Sequence, residues 1–194
     1  MVTTGFSRII VAPYSNSGVA VTYTDPKELA RAKNMSLSVE TSKENAFYAN
    51  NVLAEVEPAQ FTSGSADVEV DGLDPDEQGL ILGITSAKVD EVDEYAFGDA
   101  MNPPYLGLGG VKQRLMNGKI TYHPIVLTKV RFNIPEDSAK TREETIEWQT
   151  QKLTAVVMRD DTANHNWQII PKTPYATEAE AVAWIKKKLG GGAG

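Results

Sequence analysis

Asp67-Val68-Glu69-Val70-Asp71 sets a carboxylate at every second position with a valine between each pair. Side chains along a strand point to opposite faces in turn, so this stretch predicts a half-buried strand with acids outward and valines on a core. Ser36-Leu37-Ser38-Val39-Glu40 alternates in the same way. So does Lys119-Ile120-Thr121-Tyr122-His123, which follows Asn117-Gly118, a strong hairpin signal. Val111-Lys112-Gln113-Arg114-Leu115 is its incoming partner. Further strands are expected at 6–12, 19–23, 46–55, 84–90, 125–132, 144–149, 153–159 and 166–170. The fold class that follows is mostly β.

Two helices interrupt the strands. In Asp74-Pro75-Asp76-Glu77-Gln78-Gly79-Leu80-Ile81-Leu82-Gly83, Asp74 caps, Pro75 takes the first helical position, acids fill the first turn and Gly83 closes the end. Leu80, Ile81 and Leu82 are expected to plug a core. At the C-terminus Thr177-Glu178-Ala179-Glu180 reads as a capping box, with Val182, Ile185 and Leu189 at helical spacing. Lys186, Lys187 and Lys188 favour the negative end of the helix dipole, and Gly190 ends the helix. A flexible glycine tail is expected over 190–194. Residues 90–104, with Asp90-Glu91, Asp93-Glu94, Tyr95, Phe97 and Asn102-Pro103-Pro104, read as a long acidic loop that docks on something. With no repeat and no linker in view, 1–194 reads as a single domain.

The 194 residues carry a formal charge of −7, unevenly spread. Residues 66–99 hold eleven acids and one base, Lys88, whereas 105–135 hold Lys112, Arg114, Lys119, Lys129 and Arg131 and no acid. Such a dipolar chain suggests two complementary surfaces that meet between copies. No segment approaches the ~18 apolar residues of a membrane span, and Ile9-Ile10-Val11-Ala12 is too short for a signal-peptide core. A soluble chain made inside the cell, with no membrane insertion, is the expectation.

The absence of cysteine excludes disulfides, thiol catalysis and Cys-ligated metal sites. With only His123 and His165, no His-rich metal centre can form. Gly107-Leu108-Gly109-Gly110 lacks dinucleotide or P-loop spacing and runs into a hairpin, so it reads as a glycine-rich strand where backbones approach closely. His123 falls on a strand and His165 in a polar turn, neither with a motif partner. Trp148, Trp167 and Trp184 read as core or interface anchors. No catalytic, cofactor-binding or metal-ligating residue is assigned, no cofactor is expected, and the acidic balance argues against tight phosphate binding. An interaction or assembly protein fits best. A monomeric β-sandwich binding module is the alternative, and behind it a glycosidase using the acid pairs.

One ordered set of motifs goes further. It runs Gly5-Phe6-Ser7-Arg8, Ala12-Pro13-Tyr14, Val21-Thr22-Tyr23, Asn45-Ala46-Phe47-Tyr48-Ala49-Asn50-Asn51 and Ala54-Glu55. It continues with Val68-Glu69-Val70-Asp71-Gly72-Leu73, Leu80-Ile81-Leu82-Gly83, Pro103-Pro104-Tyr105-Leu106-Gly107-Leu108-Gly109, Tyr122-His123, Lys129-Val130-Arg131-Phe132 and Thr141-Arg142-Glu143-Glu144-Thr145-Ile146-Glu147-Trp148. In that order, over about residues 5–170, the chain resembles the major tail proteins, or tail-tube proteins, of long-tailed siphophages that infect Gram-positive bacteria. Asn50, where an Asp is expected, and Leu127-Thr128, in place of a more aromatic stretch, depart from the pattern.

The resemblance implies a β-sandwich or barrel-like tail-tube fold with one short internal helix and a C-terminal helix. It implies a virion structural protein, not an enzyme, made in the host cytoplasm. Such subunits form hexameric rings stacked into a hollow tube around the tape-measure protein, between tail initiator and terminator proteins, with double-stranded DNA in transit through the lumen. On that reading Asp67, Glu69 and Asp71 are the lumen-facing acids. The loop with Asp90, Glu91, Asp93, Glu94, Tyr95 and Phe97 is the ring-to-ring contact, meeting a basic hairpin at Lys112, Arg114 and Lys119.

Overall fold

A computed structural model describes residues 2–99, 101–136 and 150–190. The expected strand at 144–149, the motif around Trp148 and the tail beyond Gly190 lie outside the described residues.

The elements follow in chain order as β1 (Val2–Ser17), β2 (Ala20–Tyr23), β3 (Lys27–Glu28), β4 (Ala32–Thr41), β5 (Asn45–Ala49), β6 (Val52–Glu57) and β7 (Phe61–Val70). Helix α1 (Pro75–Leu82) precedes β8 (Ala87–Val89), β9 (Val92–Glu94), β10 (Leu106–Met116) and β11 (Lys119–Phe132). The chain closes with β12 (Gln151–Met158), β13 (Gln168–Ile169) and helix α2 (Glu178–Lys188). The protein is mostly β, as the alternation implies, with the two helices where their caps place them.

One antiparallel sheet dominates, in the order β2-β1-β10-β11-β12-β7-β4, with β13 against β11 and β3 against β1. The sheet curls until β4 lies beside β1, and Phe6 and Met35 both line a hollow at the seam. No ladder closes that seam among the described pairings, so the barrel is incomplete. Its interior is filled by Ile9, Val11, Ala66, Val68, Val70, Leu106, Leu108, Ile125, Leu127, Val130, Phe132, Leu153, Ala155 and Val157. Ile81 and Leu82 of α1 plug one end of this core, held by the Asp74 capping box and by Gly83 in the left-handed conformation.

A second, smaller core lies on the outer face of the same sheet. There Ala181 and Ile185 of α2, with Leu189 at its C-cap, cover Ile10, Ala12, Val111 and Val126. β1, β10 and β11 are therefore buried on both faces where α2 crosses them, which is why Ile9-Ile10-Val11-Ala12 is continuously apolar. The glycines of β10 make room for the helix. A Cβ at Gly107 would come within 2.5 Å of the Leu189 side chain, and one at Gly109 would run into Ile185. The stretch is approached closely, but by side chains and not by another backbone: Leu189, Tyr23 and Ile185 lie over Gly107 and Gly109, and Phe6 of β1 lies over Gly110.

Two expected elements differ. Residues 46–55 are not one strand: Asn50 and Asn51 both take positive φ and fold β6 back on β5. Both φ values are those of the primed two-residue turns that match strand twist, and asparagine tolerates them. The segment expected to loop from residue 90 likewise begins as a hairpin. Asp90 and Glu91, at φ 47° and 66°, turn β8 into β9 before the chain runs irregularly to β10.

Candidate assembly surfaces

On β7, Val68 and Val70 are fully buried while Asp67, Glu69 and Asp71 face away from the core. β7 sits between β12 and β4, which bring Lys152 and Lys33 to Asp67 and Glu69, while Arg31, just before β4, meets Asp71, just past the end of β7. Asp67 accepts from the Thr154 hydroxyl at 2.7 Å and pairs with Lys152 at 3.2 Å. Glu69 pairs with Lys33 at 2.7 Å and accepts from the Thr150 hydroxyl. Asp71 takes the Arg31 backbone N–H at 2.9 Å and its guanidinium at 2.5 Å. Each bond favours the charged form. The Thr154 hydroxyl then Lys152 for Asp67, Lys33 then Thr150 for Glu69, and Arg31 for Asp71 hold these carboxyls below their ordinary values. The expected row of acids is thus one side of a six-membered ladder of matched charge, flanking a hollow lined by Asn34, Ser36 and Thr150.

The acids Asp90, Glu91, Asp93 and Glu94 lie on the exposed hairpin β8–β9, where Lys88 pairs with Glu91 at 2.8 Å. Tyr95 does not reach outward. Its hydroxyl donates to Asp76 at 2.8 Å and its ring lies over Gly79, where a Cβ would come within 2.6 Å, so it pins the hairpin to α1. Phe97 is the exposed aromatic of the pair.

Lys112, Arg114 and Lys119 lie on the β10–β11 hairpin around the Asn117-Gly118 turn, whose two residues take φ of 50° and 76°. The tip also exposes Leu115, Met116 and Ile120, with Val2 paired beside Leu115. The structure keeps this hairpin apart from β8–β9. Arg131 donates to the Asn102 side chain at 2.8 Å, and Asn102 packs against Gly83 at the end of α1, so the acidic segment is tethered near Arg131. His123 lies eight residues back along β11, roughly 26 Å at 3.3 Å per residue.

Two features read in the sequence as strand or motif but not as surfaces. The first is hairpin β5–β6, exposed at every position, with Phe47, Tyr48, Val52, Leu53 and Val56 bare. The sequence predicts a strand over 46–55, but not its turn or its bare apolar faces, because neither face packs on the barrel and no alternation marks them. The second is a knot in which Asp161 takes Lys129 and the Tyr14 hydroxyl, each at 2.7 Å, and Asn16 at 2.9 Å. Lys129 lies over the Tyr105 and Tyr14 rings, 4.6 and 5.1 Å from their centroids. Lys129, then Tyr14, holds the Asp161 carboxyl down, while burial and the Asp161 bond push the Tyr14 phenol up to about 12.

Trp167 stacks on Phe61 at 4.7 Å beside the interior core, and Trp184 packs at the edge of the α2 core, as anchors should. His165 sits in its turn at φ 49°. Among the described residues no group of three or more His, Asp or Glu is arranged to hold a metal, and no helix is long and apolar enough to cross a membrane. No protein-family model and no curated protein matches this chain.

Proposed function

We propose that this chain is the tube subunit of a long-tailed phage tail. On this reading hexameric rings stack around a tape-measure protein, from a tail initiator to a tail terminator, and later conduct double-stranded DNA. The chain is then a virion component without enzymatic activity.

The observation that carries the proposal is hairpin β5–β6. A two-stranded hairpin is marginal by itself in water, yet this one exposes five large apolar side chains and leaves no residue buried. A repeating assembly supplies the missing surface for such an arm in every subunit at once. The β7 ladder suits a lumen wall, because Arg31, Lys33 and Lys152, which would otherwise grip phosphates, are already held by carboxylates.

The test is negative-stain electron microscopy with light scattering on concentrated protein and on Phe47→Ser/Leu53→Ser, alongside immunogold labelling of purified phage tails. Hollow tubes or six-membered rings from the natural chain, their loss in the variant at unchanged circular dichroism, and label along the tail are expected. Tails that carry no label overturn the reading.

A further inference from the structure

The bases of the β7 ladder all have carboxylate partners; among the described residues those beside the β10–β11 turn have none. Lys112 and His123 are register partners, and Arg114 pairs with Thr121, so these four side chains share one face of the ladder. Lys112, Arg114 and His123 line a hollow of about 120 Å³ whose other wall is Gln168, Ile170 and Pro171. The Arg114 Nε is buried with no hydrogen-bond partner among the described residues. The Thr121 hydroxyl lies 3.0 Å from the His123 Nε2. Burial first, and then the Arg114 charge, lower the pKa of both Lys112 and His123, and no acid offsets either effect. A buried N–H without an acceptor, among like charges losing water, is costly until an anion arrives. The planar fork of Arg114 matches the two oxygens of a carboxylate.

Resting on the tube reading, we propose that this hollow is a carboxylate socket and that the Asp90-Glu91 turn of a second copy fills it. The charges are complementary: β8–β9 presents four acids with one lysine among them. A chain cannot fill its own socket, because Tyr95 and Asn102 tether its hairpin near Arg131, far along β11. Each contact therefore leaves one free hairpin and one free socket, and copies join head to tail. A heterologous contact of that kind propagates into rings or open stacks.

The experiment has two arms. In the first, a synthetic peptide spanning residues 87–95 is titrated into the full chain while the two histidine imidazoles are followed by NMR. The His123 titration midpoint should rise by roughly one unit as a carboxylate settles beside it. Arg114→Gln should weaken the peptide at least about tenfold, the loss of one charge-assisted bond. In the second arm, Asp90→Lys/Glu91→Lys and Lys112→Glu/Arg114→Glu should each fail to assemble alone, and an equimolar mixture should assemble.

A peptide that leaves His123 unmoved overturns the socket. So do charge-reversed chains that each assemble alone. If inorganic phosphate moves His123 while the peptide does not, the hollow takes phosphate and the proposed occupant is wrong. Should the natural chain form no tube at all, the tube reading fails, and the peptide arm still decides the socket.

Discussion

Gly109 lies under α2 at a point where a Cβ would collide with Ile185, so the absence of a side chain there is a packing requirement. Gly109→Ala should destabilise the fold by about 1–3 kcal/mol, the usual cost of overpacking, measured by urea unfolding. In an Ile185→Ala background that cost should largely vanish, because the clash partner is gone; equal costs in both backgrounds would rule the contact out. Asp161 is the second residue whose chemistry can be read directly. Its pKa is lowered by Lys129, so its contribution to stability is complete above the ordinary carboxyl value of 3.8 and is lost as pH falls through the lower folded value. Lys129 is only 13% exposed and Asp161 34%, so Asp161→Asn should cost about 1 kcal/mol at pH 7, after allowance for screening. Thermal melts at pH 7 and pH 2.5 check the sign: the drop should be smaller in the variant than in the natural chain.

Hairpin β5–β6 has no core of its own, and its backbone bonds to the rest of the sheet nowhere among the described pairings. Amides in 45–57 should exchange fastest of the long-hairpin strands in the free subunit and become protected on assembly, read by hydrogen exchange. Equal protection in both states would show the arm to be a bystander. This element also marks the limit of what the residues announce. The strand at 67–71 is legible because one face packs on the barrel and the other meets water, which forces alternation. The caps at Asp74 and Thr177 are legible because capping chemistry is local. The turns at Asn50-Asn51 and Asp90-Glu91 carry no glycine, so the positive φ they adopt leaves a weak trace. The acids of β7 could be seen as a row, but Lys33 and Lys152 come from strands distant in the chain, and only the sheet register brings them alongside.

For the whole molecule, charge is arranged in two ways. On β7 each acid occupies a base, whereas the β8–β9 and β10–β11 hairpins carry opposite signs at separate places. Asp67→Asn/Glu69→Gln should release Lys152 and Lys33 to bind phosphate. The proposed tubes would then retain short duplex DNA in a salt-dependent way that the natural chain does not, as a filter-binding assay would show. Unchanged retention would remove this face from the lumen. The sheet order also dictates when the molecule can be finished. Ile10 and Ala12, near the beginning, owe their cover to Ile185 and Leu189, near the end. At 5–20 residues per second, the ribosome needs roughly 10–35 s to make the intervening stretch. Throughout that interval the outer side of the first strand is an uncovered greasy strip, so nascent chains crowded on one messenger are at risk of sticking before any of them is complete.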